Sequence, residues 1–415
     1  MVDWVYKLLR SSTSKDTFVT FIGNGLVSVI GLIFTVVVAR ALGPEDFGVF
    51  SALIAIAIML ASVGDLGISA ALVNFLPKIP QSRGVLVSMS LWLQLTFAGI
   101  LAFGVVLLGI FAKRLIPEAT VHQYVLTAGV TVVYIMSAFG VNLARAERKF
   151  GLAAVIQTFD SLIKLLLTLA FFYWLRLNTN LTLTAALLGS LSASVLVLIL
   201  ETKQLKPKFE RDKLKGIFTF IKWVALIRIF SVAVARVDLL LLNSLSSSYQ
   251  AGLFAAASRV TLLFALLVSS LGGVVAPRFS SFTDKKTVIT YLKKLSLLTC
   301  GVAGLMVLTT LFADQIVNLV FTSEYAEASG LLRLMTLLMI PFLLSIITIT
   351  PLLYTYNQPK FIAIVTVVQI SIMIGLDFVL IPRFQAYGSI IAIGISNIFV
   401  LALTGGKLAW ILSRA

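Results

Sequence analysis

The feature that most limits what this chain can become is a succession of about twelve apolar runs, each near the ~20 residues a helix needs to cross a bilayer. They fall at roughly 18–39, 47–76, 84–111, 122–144, 151–175, 181–200, 217–243, 250–275, 291–313, 329–354, 360–381 and 387–412. Between them lie the turn formers: Gly43-Pro44, Pro77, Pro80, Pro117, Pro207, Pro277, Pro359 and Pro382. The chain is 59% hydrophobic and 12% charged, against about 25% charged in an ordinary soluble domain. The expected class is an all-α integral membrane protein. The first run exceeds the ~7–15 residues of a signal-peptide core, so it is expected to remain as a span. Ahead of it, Trp4 to Arg10 reads either as a short interfacial helix or as a disordered leader.

A net charge of +16 invites a nucleic-acid reading, but the charge is in the wrong places for one. Most lysines and arginines sit in short connections, alternately rich and poor. With the N-terminus in the cytoplasm, only Arg40, Lys113, Arg114, Arg176 and Arg383 fall outside. That bias is a topology signal, and it predicts a cell-membrane protein with both termini cytoplasmic. Cys300 and His122 stand alone, so neither a disulfide framework nor a metal site is expected. There is no phosphate-binding G-x-x-x-x-G-K-[ST] loop and no large outer loop. Neither ATP hydrolysis nor enzymatic chemistry is expected.

The basic connection 201–216 divides the chain into halves, 1–200 and 217–415, of six spans each. Asp46-Phe-Gly-Val-Phe-Ser-Ala opens the second span, and Gln250-Ala-Gly-Leu-Phe-Ala-Ala opens the eighth. The shared Gly-x-Phe-x-Ala pattern suggests a parallel repeat, with a ligand between halves.

Charges inside the spans are the functional signal. A cation there costs at least ~2.5 kcal/mol and persists where it meets a cavity, a partner or an anionic ligand. Gln157, Asp160, Ser161, Lys164 and Thr168 recur at helical spacing and form one polar stripe. Asp160 and Lys164 can also pair as i,i+4 neighbours that simply join helices. Arg228 and Arg236 share the seventh span with Asp238, and Arg259 follows in the eighth. These guanidiniums could grip phosphate oxygens bidentately or form structural ion pairs. Arg333 lies near a span end and can reach the interface. Candidate binding residues for an anionic headgroup are thus Arg228, Arg236, Arg259, Lys164 and Gln157. Asp160 and Asp238 are candidates for a coupling H⁺ or Na⁺. Asp65 and Asp377 lie nearer span ends and read as interfacial.

The run Ala39-Arg-Ala-Leu-Gly-Pro-Glu-Asp-Phe-Gly-Val-Phe-Ser, with Asp65-Leu-Gly-Ile-Ser-Ala-Ala-Leu-Val, resembles the opening of polysaccharide transporter family proteins. A second match is Leu380-Ile-Pro-Arg-Phe-Gln-Ala-Tyr-Gly-Ser-Ile-Ile-Ala. Family members commonly carry Asn at the position of Asp377 and Gly-Ala-Ala at Gly388-Ser-Ile. The resemblance implies two six-helix bundles around a central cavity. It implies alternating-access flipping of an isoprenoid-diphosphate oligosaccharide, with membrane lipid and polysaccharide-assembly enzymes as partners. A drug or toxin extruder of the same superfamily is the alternative; it should show buried acids rather than buried cations. A membrane polymerase or ligase is the alternative from another class; it should show a sizeable outer loop.

Overall fold

The computed structural model describes residues 12–76, 80–112, 114–201, 236–280, 282 and 284–414. The connection 201–216 past its first residue, the seventh span up to residue 235, Arg228 within it and Trp4 to Arg10 lie outside the described residues.

All regular structure among the described residues is helical. The first unit holds most of α1 (Ser12–Gly64), α2 (Ile68–Phe75), α3 (Arg83–Phe111), α4 (Val121–Ala146), α5 (Phe150–Trp174) and α6 (Thr179–Leu200). The second holds α7 (Val237–Leu245), α8 (Ser248–Ser280), α9 (Lys285–Leu311), α10 (Ala313–Val320), α11 (Ala328–Leu338), α12 (Ile340–Tyr354) and α13 (Pro359–Arg414). Residues Gly43–Gly48 of α1 belong by their packing to the second unit.

Seven of the described helices, and α11 with α12 taken as one span, are long and apolar enough to cross a membrane. Two of them do the work of two spans. Helix α1 has 53 residues and α13 has 56, each ~80 Å if straight, where a bilayer core is about 30 Å thick. Both turn where the sequence places a break. In α1 the backbone leaves helical geometry at Gly43, φ 73°, ahead of Pro44; in α13 it does so at Gln385, φ 54°, shortly after Pro382. The exposed ends of α3 and α5 carry Phe111, Tyr173 and Trp174, the amphipathic rings expected at a bilayer interface. At the far end of α13, Lys407 Nζ and the Arg414 guanidinium lie 4.6 and 4.3 Å from the Trp410 ring centroid.

The repeated motif has a packing meaning. Gly48 and Gly252 meet each other's segments inside the second unit. A Cβ on Gly48 would overlap the carbonyl of Ser248, and one on Gly252 would overlap that of Pro44. Only glycine permits this approach, and the same Gly-x-Phe-x-Ala pattern supplies it from both sides.

Candidate functional site: a polar cavity and a buried carboxylate pair

The first unit holds an open cavity of about 400 Å³ between α1, α4 and α5. The polar stripe of α5 forms one wall, with Gln157, Asp160, Ser161 and Lys164 all lining the space. Tyr134, Asn142 and Arg145 of α4 form another. The i,i+3 and i,i+4 spacing that marked the stripe is what turns these side chains inward together.

The cavity's charges are bound into a network. Lys164 Nζ lies 2.7 Å from Asp160 Oδ2 and 4.4 Å from the centroid of the Tyr134 ring. The other Asp160 oxygen accepts from Ser190 Oγ of α6 at 2.7 Å. Helix α6 reaches this point because Gly189 has no side chain: a Cβ there would overlap Lys164 Cγ. So the pair predicted at i,i+4 exists, and it also faces the cavity. The two readings of the stripe are not exclusive.

Arg145 behaves differently. It lines the cavity, donates to Gln157 Oε1 at 3.3 Å, and makes no ion pair among the described residues. The sequence placed it in a basic connection, because it falls at the end of an apolar run. Its depth comes from α4 running on to Ala146. Asp65, which reads from sequence as interfacial, is a second such case. It sits in the break between α1 and α2, 7% exposed, and lines the same cavity. Its Oδ1 accepts from Ser69 N at 3.1 Å, from Gln94 Nε2 at 3.1 Å, and from Ser69 Oγ. A carboxylate at the start of α2 is well placed against the free amides there. The sequence signal was Gly64-Asp-Leu-Gly67, an acid between two helix-weakening residues within an apolar run.

The remaining candidates divide between the units. Arg236 closes the first unit and comes within electrostatic range of Tyr134. Arg259 is half-buried on α8 of the second. Arg333 is exposed and ion-paired with Asp314, in keeping with a residue that reaches the interface.

Asp238 forms no ion pair with Arg236. It meets Asp377 instead, where α7 packs on α13. The two carboxyls lie within reach of a hydrogen bond that only a proton would complete, and Ser389 faces Asp377. Asp238 Oδ1, both Asp377 oxygens and Ser389 Oγ are buried with no hydrogen-bond partner among the described residues. Asp377 is 0% exposed, so it is not interfacial. Two adjacent carboxylates in a low-dielectric core cannot both stay charged alone. The donor set therefore fits a shared proton or a small hard cation such as Na⁺.

Comparison with known proteins defines the class first. The fold matches an inward-facing multidrug-resistance MATE transporter, TM-score 0.73, 16% identical, over 94% of this chain and 95% of that one. It matches the lipid II flippase MurJ in an inward closed conformation equally well, TM-score 0.73, 16% identical, over 94% of this chain and 87% of that one. The fold is thus the one shared by these multi-pass membrane proteins. Residues 13–283 match the family described as polysaccharide biosynthesis protein, and the chain belongs to that family. A Shigella flexneri protein described as an O-antigen transporter is 20% identical over 425 residues, covering 97% of this chain and 98% of its own length.

Proposed function

We propose that this protein flips an oligosaccharide linked to an isoprenoid diphosphate from the cytoplasmic to the outer leaflet, by alternating access, for cell-surface polysaccharide synthesis. Family membership and the full-length relative described as an O-antigen transporter support the substrate class. The observation that carries the reading is the polar cavity of the first unit, with Arg145 at its wall and no ion pair among the described residues to neutralise it.

A diphosphate is too costly to move through hydrocarbon bare. Arg145 and Gln157 offer adjacent donors for phosphate oxygens. Lys164 adds a cation that can exchange its bond to Asp160 for one to the ligand. Arg228, Arg236 and Arg259 are further candidate contacts for the anion. The isoprenoid tail stays in lipid, so only the headgroup needs this route. In the second unit, Asp238, Asp377 and Ser389 take up the coupling H⁺ or Na⁺, and Asp160 is a further candidate.

The test is export of surface glycan in a flippase-null host. Arg145→Ala combined with Arg236→Ala should reduce glycan by about 10-fold or more, the scale of losing a charge-assisted contact of ~1.5–3 kcal/mol. Arg145→Lys should retain part of it. Undiminished glycan in a stably expressed double variant would overturn the reading.

A further inference from the structure

Helix α9 carries a second polar recess, lined by none of the residues of the sites described above. Lys286, Thr290 and Lys294 stand at i, i+4 and i+8, on one side of its opening turns. With Tyr291 and Phe282 they line a groove of about 550 Å³. Its aromatic wall is fixed: the Phe279, Phe282 and Tyr291 rings pack edge to face, with centroids 5.3–5.5 Å apart. The groove's acid, Asp284, is already engaged, accepting from Thr287 N at 2.9 Å and Thr287 Oγ at 3.1 Å. Lys294 makes no ion pair among the described residues, so the groove keeps a cationic excess.

Below the groove the same face becomes apolar and open. Leu297 is 78% exposed, and Leu305 and Leu308 follow at 53% and 49%. Between them Gly301 and Gly304 leave a notch, since a Cβ on either would meet nothing within 4 Å. Glycine is poorly suited to a helix interior, and nothing among the described residues packs here to require it. From its end inward, this face therefore reads as lysine, lysine, leucine and then an empty slot. An anionic amphiphile has the matching order.

We propose that this face of α9 binds an anionic phospholipid of the lysine-rich side's leaflet, with its phosphate between Lys286 and Lys294 and an acyl chain along the Gly301–Gly304 notch. Charge complementarity selects the headgroup, and the notch selects a chain over a free phosphate. This ligand is a resident of the protein's periphery and is separate from the translocated substrate.

The full chain, purified in detergent, is mixed with dioleoyl-phosphatidylglycerol or dioleoyl-phosphatidylcholine, and retained lipid is counted by native mass spectrometry. Phosphatidylglycerol should be retained in preference. Lys286→Ala with Lys294→Ala should cut that preference by about 5-fold per lysine, from ~1 kcal/mol for each basic residue at an anionic surface. Lys285→Ala with Lys360→Ala removes the same charge off the groove and should leave it intact. Gly301→Phe should reduce retention of both lipids by filling the notch. Equal retention of the two lipids by the unaltered chain would overturn the proposal. So would an equal loss in the control pair, which means diffuse attraction, or displacement by free glycerophosphate, which means a headgroup site without a chain.

Discussion

The cavity of the first unit and the carboxylate pair of the second treat buried charge in opposite ways. In the first, Lys164 has Asp160, Asp160 has Ser190, and Asp65 has Ser69 and Gln94. Each ionised group is answered nearby, and Arg145 is left with a neutral neighbour. In the second, Asp238 and Asp377 face each other with oxygens that nothing among the described residues satisfies. A satisfied network holds a shape and costs stability when one member is removed. An unsatisfied pair costs stability as it stands and gains when something binds. On the function proposed above, the first region holds the headgroup and the second takes up the cation.

The largest expected effects would break this contrast by sign. Asp160→Leu should destabilise the protein by about 3–5 kcal/mol, since it strands Lys164 in the interior. Asp377→Leu should leave the melting temperature unchanged or raise it, because it removes a charge that has no partner. Thermal unfolding of both variants in one detergent measures the pair, and similar losses in the two would erase the distinction. Asp160→Leu combined with Lys164→Leu should recover much of the stability without recovering export.

Smaller effects sharpen the picture of the first unit. Gly189→Ala forces α6 away from Lys164 and should cost about 1–3 kcal/mol, the range for overpacking, with glycan export falling alongside. The ends of α3, α4 and α6 are joined by Arg83, whose Nε lies 2.5 Å from Glu147 and Nη2 2.8 Å from Glu201; Lys149 adds a contact to Glu147 at 2.7 Å. Burial raises the Glu147 carboxyl, but hydrogen bonds from Arg83 and Lys149 outweigh it and hold the group below its ordinary value. A depressed folded-state value adds stability above the unfolded value, and that stability is lost as pH falls through the folded one. Glu147→Gln should thus cost about 1–2 kcal/mol at neutral pH and flatten the loss of melting temperature below pH ~4.5. An unchanged acid limb would remove Glu147 from the account.

Much of this was legible in the sequence because the bilayer leaves a chain few choices. Apolar run length fixed the helices, and Gly43-Pro44 and Pro382 marked where α1 and α13 would turn. The α5 stripe announced itself by spacing alone. What the sequence hid was depth. Arg145 and Asp377 both lie near the ends of apolar runs, where linear distance suggests an interface. Arg145 is turned inward by α4. Asp377 is buried because α13 doubles back past Gln385 and brings Ser389 against it. The partner of Asp238 was hidden for a related reason: proximity in sequence offers Arg236, while the packing of α7 on α13 brings Asp377.

The most direct test reconstitutes the protein in vesicles with a fluorescent isoprenoid-diphosphate oligosaccharide and follows its transfer between leaflets with and without Na⁺ and H⁺ gradients. The account predicts that one gradient accelerates transfer by the unaltered protein. The Asp238→Asn, Asp377→Asn double variant should still equilibrate the lipid and ignore both gradients. A double variant that responds to the gradient as strongly as the unaltered protein would contradict the assignment of the carboxylate pair to coupling.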